Sequence, residues 1–528
     1  MFGKKSHRFL APPTDYASGT PGIPLPERPG WLLPLALVGA IFILQVLLGC
    51  DWRVLMSGTA AVLAGFWALQ LGGLRDGGAV FCFAFAANSL LWGMCAKTVF
   101  GQPLDSFLAL PLKSFLIYLL VIIEVVAAYL IVRRIPLGRP LFRAVQDPQM
   151  LSFLASSSYA LGVLFWAANR GMLVDLRYRY LTPAESFGGF ALLKKVFYLS
   201  VICATARCVV RSRGKKSFDW FVGLAMVTGV MMGVIDNNKV VMATSVVAYV
   251  LTLIYFRGTI KKKEGVGVLL LVLTFVFIIA PVIQLYRKAG IRKMGLSERI
   301  NFVISHREEV MSWESLSSFF GPEIGETRRP WDYFGYNVFM LDRFVTVQRL
   351  APVIEGMSNH AEMGSKVLTP AFRNVPPSFI YSNKPVVPTP DLITWELSLR
   401  RTYVVGYPVV PLPAHAYAAW KLIGVIFIPF AVFLALLCIM KKLGWRLWRN
   451  VFALWFFMFV FAHGAEWSFD GYISYMCRSL PVWGMMAFGL VIAGRFFLGK
   501  REGGGWLPGD RQNSTGDTGS APSRTTGT

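Results

Sequence analysis

Hydrophobic residues in this chain come in long unbroken runs, separated by short polar connections and by one very long one. The runs are Trp31–Cys50, Val54–Leu74, Gly78–Ala96, Leu112–Val132, Met150–Ala168, Gly189–Val209, Phe218–Ile235, Val240–Phe256 and Gly265–Tyr286, followed by Ala414–Met440, Leu447–His463 and Leu480–Leu498. A hydrocarbon layer about 30 Å thick is crossed by roughly 20 apolar helical residues. The pattern therefore predicts an all-α, polytopic integral membrane protein of about twelve transmembrane helices with one large extracytoplasmic loop. Leu447–His463 is the weakest member, being short and carrying Arg449. Residues 1–30 read as a Pro-rich polar tail, 31–286 as an N-terminal membrane bundle of about nine helices and 287–413 as the loop. Residues 414–498 read as a C-terminal group of about three helices, and 499–528 as a disordered Gly-, Ser- and Thr-rich tail.

Composition agrees with that pattern. Of 528 residues only 16% are charged and the mean hydropathy is +0.52, whereas soluble domains carry about 25% charged residues. The formal charge of +24 would suggest a nucleic-acid partner, but its placement does not. With the N-terminus inside and the runs alternating, 27 of the 53 Lys and Arg residues fall in the predicted cytoplasmic segments, as the positive-inside rule requires. Both termini are then cytoplasmic, no nucleic acid is bound, and 287–413 faces outward; in a bacterium the chain sits in the inner (plasma) membrane with a periplasmic loop. The first apolar run continues as a full span, so no cleavable leader is expected.

The 287–413 segment is where soluble chemistry has room. Leu296, Ile300, Val303, Ile304 and Met311 recur at helical spacing and predict an amphipathic interfacial helix. A second helical stretch is predicted from Tyr333 to Leu350, and the proline-punctuated Pro370–Pro413 reads as a non-helical strap. The segment carries fifteen basic and twelve acidic residues and no cysteine, so no disulfide framework holds it. Arg343, Arg349, Arg373, Arg400 and Arg401 cluster there. The guanidinium fork suits bidentate phosphate binding, and the common phosphate ligand at an outer membrane face is a polyprenyl diphosphate carrying a sugar. These arginines could equally contact acidic lipid heads or pair with nearby Asp and Glu.

His306, His360, His415 and His463 fall on the same predicted side. Glycosyl transfer needs a base, or an orienting group, for the acceptor hydroxyl and positive charge for the departing diphosphate. His360 and His415 are the candidates for the first role, with Glu362 in reserve; either histidine could instead be a polar residue at a helix end. There is no Asp-x-Asp pair and no Cys-x-x-Cys or His-x-x-x-His spacing, so neither a metal nor another cofactor is expected. Glu124 lies mid-run, where an acid either packs against another helix or serves ion coupling. Asp51 stands alone in the first outer connection.

Two stretches carry a family resemblance. Asn374-Val375-Pro376-Pro377-Ser378-Phe379-Ile380-Tyr381-Ser382-Asn383-Lys384-Pro385 resembles the loop signature of the Wzy-like oligosaccharide repeat-unit polymerases, the O-antigen and exopolysaccharide polymerase family. Pro411-Leu412-Pro413-Ala414-His415-Ala416-Tyr417, followed by Ile423-Gly424-Val425, is similar to that family's re-entry motif. Pro377 stands where the family has Arg, which shifts that contact to Arg373, and His415 stands where it has Glu. The resemblance implies a glycosyltransferase that joins undecaprenyl-diphosphate-linked oligosaccharides without nucleotide sugar or metal. It also implies membrane lipids, a chain-length regulator and a flippase as partners. On this reading Arg343, Arg349, Arg373, Lys384, Arg400 and Arg401 contact diphosphate or glycan, and the loop caps a lateral cavity. An O-antigen ligase-like transferase shares the layout, and a polysaccharide flippase or export component is the alternative of a different class.

Overall fold

The computed structural model describes residues 23–24, 26–178, 192–236, 238–274, 301, 305, 346–376, 381, 387–399 and 408–499. The chain is predominantly helical. Its helices are α1 (Leu32–Leu47), α2 (Trp52–Gly72), α3 (Gly77–Val99), α4 (Pro111–Arg134), α5 (Pro148–Tyr178), α6 (Phe197–Arg211), α7 (Trp220–Ile235), α8 (Lys239–Arg257) and α9 (Lys262–Thr274). After these come three short helices, α10 (Val347–Gly356), α11 (Thr369–Arg373) and α12 (Thr389–Glu396). The last three are α13 (Leu412–Gly444), α14 (Val451–His463) and α15 (Phe469–Leu498). Among the described residues six helices are long and apolar enough to cross a membrane: α2, α3, α4, α13, α15 and the Pro148–Asn169 part of α5. Four shorter apolar segments accompany them, in α1, α7, α8 and Val451–Glu466.

Side chains that accept backbone N–H groups fix where several helices begin. Asp51 caps α2, Asp76 caps α3, Asp219 caps α7, Asn450 caps α14 and Ser468 caps α15. Each satisfies donors that a helix start leaves orphaned. Two helices contain one wide π turn, Ala87–Leu91 in α3 and Tyr475–Ser479 in α15. Large apolar side chains such as Leu32, Leu33, Leu47, Phe427 and Phe496 are exposed. In water such a surface would drive association; facing acyl chains it costs nothing.

Packing sorts the connections between helices to two ends. At one end β1 (Ile23–Pro24) pairs antiparallel with β2 (Thr259–Ile260), Gly77 N–H donates to Trp445 O and Leu447 N–H to Arg75 O. There Leu141 and Phe142 N–H groups also bond Lys442 and Leu443 carbonyls, and Arg449 N–H bonds Tyr255 O. Helices α4 and α13 lie side by side in parallel. Lys441 Nζ at this end donates to the carbonyls of Val132, Arg133 and Ile135 at 2.7, 3.1 and 2.8 Å, while at the far end Lys113 sits over the Tyr417 ring. The segments gathered at the first end are those whose basic charge predicts a cytoplasmic location. Glu124 is buried on α4, and neither of its oxygens has a hydrogen-bond partner among the described residues.

Two readings of the sequence change. The Pro370–Pro413 strap contains α11 and α12, because Pro370 and Pro390 occupy first-turn positions, where a missing N–H is not missed. Of the helix expected over Tyr333–Leu350 the structure describes only the end, where Val347–Leu350 belong to α10, which runs past Pro352 to Gly356; residues 333–345 and, apart from isolated positions, the amphipathic stretch at Leu296–Met311 lie outside the described residues. Helix α13 is not continuous. Trp420 and Lys421 leave helical geometry, Lys421 with φ +48°, so a short buried helix joins the long span through a sharp break. Gly424 makes that break possible, since a Cβ there would lie 2.1 Å from Ala416 O.

Gly424→Ala should therefore destabilise the protein by about 1–3 kcal/mol, read as a lower unfolding temperature in detergent. Gly489→Ala, in open space on α15, should be neutral or gain up to about 1 kcal/mol. Equal behaviour of the two variants would mean that the break is not where the chain is tightest. A second expectation concerns Glu264, which precedes the apolar part of α9. Burial alone would raise its carboxyl, but the Arg257 guanidinium, the Ser217 hydroxyl and the Lys261 N–H outweigh that and hold it below the usual glutamate value. A lowered folded pKa adds stability above the unfolded value, about 4.3, that disappears as pH falls through the folded one. Glu264→Gln should remove this acid-limb loss and lower stability at neutral pH, measured by thermal unfolding from pH 3 to 7.

Candidate functional site

The described parts of the long polar segment sit on the end of the bundle opposite the basic connections. Thr346, just before α10, donates its hydroxyl to Ser89 O in the wide turn of α3. Tyr118 Oη of α4 donates to Thr346 O at 3.4 Å. Val347, Leu350, Ala351, Val353 and Ile354 are buried, and α10 packs on α4 and α13. Arg349 projects from this helix at 2% exposure, and its Nη1 lies 2.9 Å from Glu466 Oε1 in the turn Gly464–Glu466 that follows α14. A guanidinium so deeply placed requires a counter-charge. One edge of it is therefore already engaged by a carboxylate.

His415 occupies the first turns of α13 and is fully buried. Its Nε2 lies 2.8 Å from Val367 O. A carbonyl can only accept, so Nε2 carries a proton and donates it to Val367 O. Among the described residues Nδ1 has no hydrogen-bond partner, and neither has the buried Oδ1 of Asp470. Phe469 packs against His415 with ring centroids 5.7 Å apart and against Phe372 at 5.6 Å. Through this ring α11, with Arg373 at its exposed C-terminal end, meets α13 and α15. Met363 N–H bonds Ala418 O, and Lys366 pairs with Glu396 of α12, closing the cap.

His360 is exposed and its Nδ1 donates to Gly356 O at 2.8 Å. It thus caps the last turn of α10 and leaves Nε2 toward solvent, two residues from the exposed Glu362. His360 is the accessible imidazole and His415 the enclosed one. Arg343, Lys384, Arg400 and Arg401 lie outside the described residues.

Several groups at this end are not evident from sequence. Lys195 Nζ lies 5.0 Å from the Phe459 ring centre and 5.5 Å from that of Trp483, and its carbonyl accepts from Trp455 Nε1 at 3.1 Å. His463 ends α14, immediately before the turn that carries Glu466. Lys113 lies 5.2 Å from the Tyr417 ring centre. The partners are far apart along the chain, so no local motif announces them; a paired Lys194-Lys195 at the outer end of an apolar run was the one available hint. Lys113 and Lys195, each beside aromatic rings, together with Arg349, Lys366 and Arg373 give this end five cationic side chains, an environment able to offset anionic charge. Among the described residues no three His, Cys, Asp or Glu side chains form a metal-ligating group. No family model, curated protein or solved structure matches the chain.

Glu466→Gln should leave the Arg349 charge facing a neutral amide and cost about 1–3 kcal/mol, seen as reduced thermal stability. The double change Arg349→Met with Glu466→Gln should recover part of that loss. A cycle showing no coupling between the two positions would remove the pair as an anchor of the cap.

Proposed function

We propose that the chain is a twelve-span plasma-membrane enzyme that polymerises undecaprenyl-diphosphate-linked oligosaccharide repeat units at the outer face of a bacterial inner membrane, with both termini in the cytoplasm. The observation that carries this reading is the seating of the described parts of the long polar segment on the end of the bundle away from the basic connections, with cationic groups at that same end. The resemblance of residues 374–385 and 411–425 to the polymerase signatures supports it further. A donor on a prenyl diphosphate already carries its leaving group, so the protein has mainly to align two lipid-anchored substrates and offset diphosphate charge. Arg343, Arg373, Lys384, Arg400 and Arg401 are assigned to diphosphate or glycan contact, and Arg349 contributes from behind its Glu466 pairing. His360 is the solvent-facing candidate to receive or orient the acceptor proton, with Glu362 near it in sequence. His415 holds the cap through Val367 and reaches an acceptor only if that cap opens.

Arg343→Ala and Arg401→Ala should each leave the protein inserted while long-chain polymer disappears and single repeat units remain, resolved as a ladder on a polysaccharide gel. Full-length ladders in both variants would overturn the arginine assignment. A polymer that still forms but is no longer attached to its final acceptor would identify the ligase-like transferase instead. Lipid-linked units trapped on the cytoplasmic face would identify a flippase.

A further inference from the structure

The opposite end of the bundle carries a groove that the proposed chemistry leaves unused. It has a volume of about 1000 Å³ and opens between the start of α5, the last turn of α6 and the end of α15. Phe153, Val210 and Leu498 give it apolar surface, and Arg211 and Arg213 give it positive charge. The Phe153 ring packs 6.0 Å from that of Phe497. Phe496 and Phe497, 80% and 72% exposed, turn apolar rings outward at the end of the last span, and Trp220, 76% exposed at the start of α7, is the ring type that marks the boundary between acyl chains and water. The groove therefore opens at headgroup depth.

Two guanidinium groups face one carboxylate there, so the lining is net positive. Asp147, also on the lining, is occupied in capping α5, accepting the N–H groups of Gln149 and Met150, each at 3.1 Å. Asp219 caps α7 and takes the guanidinium of Arg207. Arg211 and Arg213 are exposed, and neither makes an ion pair among the described residues. The backbone adds an independent point. Gly214 N–H donates to Val209 O at 2.8 Å and Arg213 N–H to Val210 O at 3.1 Å, the two-bond helix ending whose left-handed position is normally filled by glycine. Here that position is Arg213, with φ +50°. Arginine holds there a backbone geometry that favours glycine, so a change to glycine removes the guanidinium without straining the turn.

We propose that this groove binds an anionic glycerophospholipid of the adjacent leaflet, its phosphate between Arg211 and Arg213 and an acyl chain along Phe153, Val210 and Leu498. The proposal rests on the membrane character of the fold and not on the glycan-polymerising reading. Native mass spectrometry of the full chain in detergent, titrated with dioleoyl phosphatidylglycerol or dioleoyl phosphatidylcholine, tests it. The phosphatidylglycerol adduct should dominate and weaken with salt, and Arg211→Gln and Arg213→Gly should each lower its affinity about fivefold. Arg213→Gly should at the same time leave the unfolding temperature unchanged or higher, which separates lost binding from lost fold. Phe153→Ala should weaken both lipids alike. Equal binding of the two lipids, unchanged affinity in the arginine variants, or displacement of the lipid by millimolar inorganic phosphate as effectively as by phosphatidylglycerol would each overturn the proposal.

Discussion

The parallel contact between α4 and α13 carries the rest of the molecule. At one end Lys441 donates to three carbonyls at and just beyond the last turn of α4, satisfying acceptors that a helix end leaves open and placing a cation where the helix dipole favours it. At the other end Tyr417 of α13 lies under Lys113 of α4. Helices α2 and α3 pack on α4, and α10, α12 and α14 pack on α13. In hydrocarbon there is no water to satisfy a stray backbone group, so such a pair can depart from helical geometry only near its ends. The break at Trp420–Lys421 obeys that limit: it lies within the first few turns of α13, beside the cap, and the span beyond it runs on to Gly444.

The cap inherits its position from this spine. Three polar contacts tie it to membrane helices and their connections: Thr346 to α3, Arg349 to the turn after α14, and the turn before α11 to His415 of α13. Each such tie removes a charge or a dipole from water at a cost that only a formed partner offsets. The consequence for chemistry is a division of labour between histidines. The enclosed His415 holds two elements together, while His360 keeps one nitrogen free at the surface of the same cap. Cationic side chains around them are partly neutralised, Arg349 by Glu466 and Lys366 by Glu396, which leaves Lys113, Lys195 and Arg373 as the charges less committed to carboxylates among the described residues.

Much of the fold was legible because bilayer thickness imposes a length that a sequence must meet in one continuous run. The helices from α1 to α8 and from α13 to α15 fall on or beside the apolar runs, and the basic connections gather at one end as their charge requires. The site was less legible for a physical reason. Arg349 and Glu466 are 117 positions apart, and Lys195 meets rings from α14 and α15, so their pairing depends on how helices pack and not on any local spacing. The prolines of 370–413 misled in the other direction. They bar a helix interior but suit a helix start, and Pro370 and Pro390 do start helices. The break in α13 left only Gly424 as a trace, a small residue whose necessity appears once Ala416 O is seen beside it.

The wide turn in α3 has an effect beyond its own helix. An extra residue in one turn loosens the regular ladder there and lets a carbonyl tilt sideways instead of along the axis. Ser89 is in that turn, and its oxygen is the one that Thr346 finds. A membrane helix ordinarily offers its neighbours only side chains, because its main chain is consumed internally. Here one surplus residue converts backbone into a lateral mooring post for a segment more than 250 positions downstream, so shortening α3 by a single residue would remove this one tie of the cap while leaving the hydrophobic span long enough to cross.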